Sequence, residues 1–229
     1  MKRTITGLIL GLFVLFFVFF SSDTLFQIIL AGILGYSLFE LFKIKGKNNI
    51  YVWIIFILVL INLYLIFPIT NSFGRSFFFT ALLISVFTDI FALVFGKLLG
   101  RRFIYPSISP KKTLEGTLLG LSIPSFFFIF LGYLFIEQQI SGSEVFSEFL
   151  VISKFIDSLG YLITFFIILI SSLASISGDL LASKSKRIMG IKDFGNLLPG
   201  HGGILDRIDS HIMFIPVFFI FYSLIYCKK

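Results

Sequence analysis

The greatest capacity for chemistry lies in one stretch, Gly178 to Ser210. Four carboxylates there, Asp179, Asp193, Asp206 and Asp209, are interspersed with Lys184, Lys186, Arg187, Lys192 and Arg207. The run is interrupted by Pro199-Gly200-His201-Gly202-Gly203. Carboxylates bind hard cations such as Mg²⁺, which coordinates oxygen and commonly keeps a substrate phosphate as a further ligand. Lysine and arginine match phosphate oxygens, arginine in bidentate fashion. Gly200, Gly202 and Gly203 let backbone N–H groups come close to a polyphosphate. If a helix begins near Leu205, Asp206 and Asp209 stand at i and i+3 on one face of its first turn. A helix amino terminus there favours anions. Asp179 precedes the loop at the end of an apolar span, so carboxylates from neighbouring helix ends can converge on one metal. Solvated basic residues beside a membrane need none of these acidic groups, no histidine and no Gly-Gly pair.

A second element lies upstream. Asp89 sits about a dozen residues from either end of the apolar span 77–99, near the middle of a membrane helix. Such a carboxylate is costly there and marks a functional position, the plain alternative being a packing contact with Thr88 or a serine of another helix. Lys97, after Gly96, and Lys111 and Lys112, in Ser109-Pro110-Lys111-Lys112-Thr113, add groups suited to phosphate.

These residues require a membrane scaffold. Of 229 residues, 57% are hydrophobic and 14% charged, with 33 phenylalanines and a mean hydropathy of +1.03. Soluble domains carry about 25% charged residues, and one core of this size cannot hide the apolar surplus. Runs of about 20 apolar residues mark membrane helices. They fall near 4–20, 24–42, 50–68, 77–99, 117–136, 158–181 and 208–227, which predicts an all-α polytopic protein of about seven spans. The first is read as a span and not a signal peptide, because no small-residue cleavage site follows Lys2-Arg3 and its apolar run. Residues 140–157, with Glu144, Glu148, Lys154 and Asp157, read as an amphipathic surface helix.

The formal charge of +7 is distributed unevenly. With the amino terminus inside, the loops on that side hold 15 of the 19 basic residues; Arg75, Lys154, Lys228 and Lys229 lie outside. The polar site is therefore expected to face the cytoplasm. Nucleic acid is excluded as a partner, since the cations sit in short loops between spans. Cys227 is alone, so no disulfide framework or CxxC metal site exists. The loops 101–116 and 183–207 are longer than connection requires. No repeat or second domain is visible. The chain reads as one membrane domain, 1–229, with amino-terminal helices over 1–76 and a catalytic region over 77–229.

Residues Ser183 to Asp209 resemble the signature of the phosphatidate cytidylyltransferase family: S-x-apolar-K-R, four residues, K-D, a Gly, a Pro, H-G-G and D-R-x-D. Asp89 to Lys97 and Ser109 to Gly116 resemble that family's D-x-x-A-Y-x-x-G-K and S-P-K-K-T-x-E-G elements. The likeness covers roughly 77–227. Ser185 stands in place of an apolar residue and Leu93 in place of a tyrosine, and the amino-terminal portion is shorter than usual. The resemblance implies a phosphatidate oxygen attacking the α-phosphorus of CTP, with pyrophosphate released at a bacterial inner membrane. It further implies Mg²⁺ held by Asp179 and Asp206, with room for a monovalent cation such as K⁺.

Under that reading, Lys186, Arg187, Lys192 and Arg207 clamp the triphosphate or the lipid head. Asp193 and Asp209 are second choices for the metal or orient the cations, and Lys111 and Lys112 assist from the other loop. Gly202 and Gly203 shape the turn, in which His201 acts as a hydrogen-bonding residue before it acts as an acid. His211 is structural, Asp89 and Lys97 border the substrate cavity, and assembly as a homodimer is left open. A phosphate monoester, with a second pKa near 6, needs no strong base, so positioning and charge neutralisation carry the reaction. Other readings use the same residues: transfer to another lipid phosphate, phosphorylation of a polyprenol, an ion-coupled transporter using Asp89 and Asp179, or an inactive homologue. The H-G-G and D-R-x-D pair favours cytidylyl transfer over the kinase. The inverted halves of a transporter are not visible.

Overall fold

The structure, a computed structural model, describes residues 2–44, 49–137, 151–198, 200 and 202–226. Its elements in chain order are α1 (Lys2–Phe20), α2 (Asp23–Lys43), α3 (Ile50–Phe73), α4 (Arg75–Leu99), β1 (Phe103–Tyr105), β2 (Ser109–Thr113), α5 (Leu114–Glu137), α6 (Val151–Met189), α7 (Leu205–Ile208) and α8 (His211–Tyr226). The first six predicted spans each fall on a helix. Among the described residues, α2 to α6 are long and apolar enough to cross a membrane, whereas the apolar parts of α1 and α8, Gly11–Phe20 and His211–Leu224, are shorter.

Local chemistry sets the joints. Ser22 Oγ accepts the Leu25 N–H at 3.3 Å to start α2, and Asn49 Oδ1 accepts the Tyr51 N–H at 3.0 Å to start α3. Gly74, at φ 70°, alone separates α3 from α4, a conformation glycine adopts without a Cβ penalty. At that end of the bundle Arg75 pairs with Asp23 at 3.0 Å and donates to the Ser21 carbonyl. Gln27 reaches Thr70 Oγ1 at 2.6 Å nearby. The α1–α2 and α3–α4 connections thus share one end, opposite the end that bears the motifs.

Phenylalanine fills the interior as well as the lipid face. Phe77, Phe128, Phe155, Phe214, Phe218 and Tyr222 form one cluster that joins α4, α5, α6 and α8. Phe73 and Tyr222 meet edge to face at 4.4 Å, and Phe77 lies 5.2 Å from Phe218. A second cluster, Leu41, Ile55, Val59, Ala182, Met189, Phe194, Leu205 and Ile212, lies on the side of the motifs. It ties α2, α3 and α6 beneath α7.

Three expectations change. Helix α6 runs 39 residues and is broken at Gly160, φ 80°. The part before the break is amphipathic, but Val151, Ile152, Phe155 and Ile156 pack into the phenylalanine cluster and not onto lipid, while Lys154 and Asp157 face out. The rest of the expected surface helix, 138–150, lies outside the described residues. Secondly, the all-α expectation misses an antiparallel hairpin, with Phe103 opposite Thr113 and Tyr105 opposite Ser109. A two-strand ribbon tolerates Pro110, since each strand keeps a free edge. Thirdly, the last span is two helices, because Asp209 and Ser210 form a turn between α7 and α8.

Small residues set the closest helix crossing. A Cβ on Gly120 would come within 2.6–2.8 Å of Ala92, and one on Gly116 within 2.6 Å of the Gly96 Cα. Backbones this near leave no room for a side chain at Gly116 or Gly120, the usual basis of tight helix pairs in lipid. Ala92, Gly96 and Gly116, all within the upstream motifs, serve as packing positions.

Candidate functional site

Four helices and the hairpin bring charged side chains to one end of the bundle. Lys112, on β2, places Nζ 2.6 Å from Asp179 Oδ2 near the end of α6. Ser183 Oγ, one turn on, donates to Asp179 Oδ1 at 3.4 Å. Lys186, two turns beyond Asp179, places Nζ 2.8 Å from Asp206 Oδ1 and 3.9 Å from Asp209 Oδ2. The two carboxylates therefore face one cation, as their i, i+3 spacing anticipates. Asp89 on α4 lies near Asp179, Lys112 and Ser210, and Asp209 lies near Asp179. The result is a chain of charges, Lys112, Asp179, Asp209, Lys186 and Asp206, in which two lysines face three carboxylates, with Asp89 alongside.

Backbone features hold this chain. Gly178 packs against the turn: a Cβ there would come 2.6 Å from the Asp209 carbonyl. Asp206 is buried and uses both oxygens, Oδ1 for Lys186, and Oδ2 for the N–H groups of Phe194 at 2.8 Å and Gly203 at 3.0 Å. Gly202, at φ 86°, closes the tight bend, and the Leu198 N–H donates to its carbonyl at 2.9 Å. Glu115 accepts the N–H groups of Arg101 and Arg102 at 3.0 and 3.2 Å, and fastens the hairpin base to α5. A buried polar seam continues inward from Ser210. Ser85 Oγ lies 2.8 Å from Ser175 Oγ and 3.1 Å from His211 Nδ1, and His211 Nδ1 lies 3.0 Å from Ser210 Oγ.

Other predicted residues sit at the margin. Lys97, Lys192, Asp193 and Arg207 are exposed around the same end. Arg187 is exposed, and its Nε donates to the Ile108 carbonyl at 3.5 Å. Asp193 lies beside the bend, where a Cβ on Gly202 would come 3.1 Å from its own Cβ. His201 lies outside the described residues, and Lys111 is described in β2 by its backbone alone.

The matching family model, described as the Cytidylyltransferase family, spans residues 47–225. The chain belongs to the cytidylyltransferase family. It is 36% identical to the phosphatidate cytidylyltransferase of Staphylococcus aureus (strain COL) over 155 residues, 67% of this chain and 52% of that protein. The phosphatidate cytidylyltransferase of Helicobacter pylori matches at 35% over 150 residues, 66% and 48% of the respective chains. An Escherichia coli protein designated YnbB matches at 37% over 158 residues, 69% and 46%. This cytidylyltransferase-family chain thus spans about half the length of the curated relatives it matches.

The donor set suits a divalent ion. In this family member the ammonium groups of Lys112 and Lys186 face the carboxylates of Asp179, Asp206 and Asp209. Among the described residues no three His, Cys, Asp or Glu side chains are arranged to cage a metal unaided. Mg²⁺ needs no such cage, because it is typically held by one or two carboxylates together with substrate phosphates.

One residue of the site escaped the sequence reading. Glu40, inside the apolar span of α2, is 3% exposed; its Oε1 accepts the Ile204 N–H at 3.0 Å and its Oε2 the Leu205 N–H at 2.9 Å. The available signal was the charge itself, a lone carboxylate within a membrane span.

Proposed function

We propose that this protein transfers the cytidylyl group of CTP to phosphatidate, and so forms CDP-diacylglycerol and pyrophosphate. The observation that carries the reading is the cluster of Lys112 and Lys186 with Asp179, Asp206 and Asp209 between helix ends, in a chain of the cytidylyltransferase family. Such a cluster offers cations for phosphate oxygens and carboxylates for a divalent ion.

An oxygen of the phosphatidate monoester attacks the α-phosphorus of CTP, and the bond from that phosphorus to the bridging oxygen breaks. The pair of electrons leaves with pyrophosphate. Lys112 and Lys186 release their carboxylates to meet phosphate oxygens, and exposed Arg187, Lys192 and Arg207 gather the triphosphate and the lipid head. Asp179 and Asp206 would hold Mg²⁺, Asp206 through Oδ1, the oxygen that faces Lys186; its other oxygen stays with two backbone amides. When bound, the ion supplies charge neutralisation at the triphosphate.

The site faces the cytoplasm of a bacterial inner membrane in this reading. Counting α1 and α8 as spans gives seven crossings, and the positive-inside pattern puts the lysine-rich end with the CTP pool. The part of α6 after Gly160 supports a position at the interface. Its 29 residues, 161–189, span about 44 Å, longer than a hydrocarbon core of about 30 Å. That length leaves room for Asp179 to lie at the headgroup level in this reading.

Purified protein in detergent, given labelled CTP, phosphatidate and Mg²⁺, is expected to yield lipid-linked cytidine. Absence of product from the wild type refutes the reaction.

A further inference from the structure

We infer that Glu40 of α2, outside the family-matched region, is a positioning residue that holds Asp206 and Lys186 in place for cytidylyl transfer. The inference rests on the proposed reaction for its role and on geometry for its contacts.

Helix α7 has four residues, and its N-cap position, Ile204, supplies no side-chain hydrogen bond. So short a helix does not hold itself, since nucleation costs more than one or two turns return. Yet α7 carries Asp206, and Asp206 fixes Lys186. Its first amides must be satisfied from elsewhere, and Glu40 satisfies two of them from a helix 164 residues earlier in the chain. The carboxylate is buried, where ionised groups are costly unless well hydrogen-bonded.

The surroundings are shaped around it. A Cβ on Gly203 would approach its oxygens to 2.5–2.6 Å, and one on Gly195 would collide with Oε1. Neither glycine is among the five with positive φ, so the missing side chains make room for Glu40 and do not serve backbone strain. Position thus passes from Glu40 to the amides of 204 and 205, to Asp206 beside the Gly203 amide, and on to the Lys186 ammonium. Glu40 touches none of the reacting atoms.

The test uses Glu40→Gln, Glu40→Ala and Gly195→Ala in the full chain, with turnover and amide hydrogen exchange measured together. Glu40→Gln keeps one full acceptor and is expected to speed exchange at Ile204 and Leu205 by about 10-fold, Glu40→Ala by about 100-fold. Exchange in α4 and α5 should not change. The kcat should fall by a similar factor while KM for phosphatidate holds, because the lipid-facing surface is untouched. Gly195→Ala pushes on the same carboxylate without removing it, and its effect on kcat should vanish in the Glu40→Ala background. Unchanged exchange at 204 and 205 overturns the clamp. Faster exchange with full kcat overturns the positioning role and leaves the proposed reaction standing. A wild type that makes no product overturns the reaction and the role together, while its exchange pattern still tells whether Glu40 holds the turn.

Discussion

Replacing Asp206 separates two tasks that this residue performs at once. Its carboxylate accepts from Lys186 Nζ, the Phe194 N–H and the Gly203 N–H, at 2.8, 2.8 and 3.0 Å. In Asp206→Ala both amides lose their acceptor in a buried setting, at about 1–3 kcal/mol each, together with the charged contact to Lys186. The sum is about 5 kcal/mol, comparable to the whole stability of many domains. Asp206→Asn can keep its carbonyl toward the two amides and loses chiefly the ion pair. Because Lys186 still has Asp209 at 3.9 Å, that loss is about 2 kcal/mol, below the range for a buried pair left with no partner. The gap of about 3 kcal/mol corresponds to roughly a 150-fold difference in local opening. Amide exchange at Phe194 and Gly203, followed by mass spectrometry in detergent, reads it directly. Turnover should be abolished in both variants, since neither leaves an ionised Oδ1. Equal exchange in Asn and Ala refutes the hydrogen-bond assignment, and full turnover in either refutes the catalytic one.

Lys112→Met should leave the melting temperature within about 2 °C of wild type, because the pair with Asp179 is partly exposed and such pairs contribute at most about 1 kcal/mol. Its turnover should fall about 100-fold; retained turnover would show that the hairpin lysine is a tether alone. Gly120→Ala should lower stability by about 1–3 kcal/mol, since α4 must back away from the new methyl group. A thermal melt that matches wild type would contradict the close crossing at Ala92.

The helices were legible because lipid imposes length and apolarity on every span, and all the apolar runs but the last became single helices. The convergence of Asp179, Asp206 and Asp209 was legible in part, from spacing at i and i+3 and from the position of Asp179 at a span's end. The hairpin was not, since Pro106, Pro110 and three cations over 102–112 read as bent loop, and its pairing depends on Glu115 and Arg102 beyond its own strands. The packing role of Gly96 and Gly116 in the upstream motifs was not read from the sequence, because it depends on the crossing with Ala92. Glu40 stayed hidden because a hydropathy window absorbs one carboxylate, and its partners lie at the far end of the chain.

The break at Gly160 gives α6 a consequence for assembly. The short arm before it, Val151 to Leu159, docks through Val151, Ile152, Phe155 and Ile156, while the long arm carries Asp179 and Lys186. The Val151 amide also donates to Thr80 on α4 at 3.3 Å. Were the helix unbroken, length added or removed in the short arm would turn the long arm about its axis by about 100° per residue, and swing Asp179 off Lys112. The glycine decouples the two, so the docking arm can vary in register without dialling the carboxylate away from its lysine.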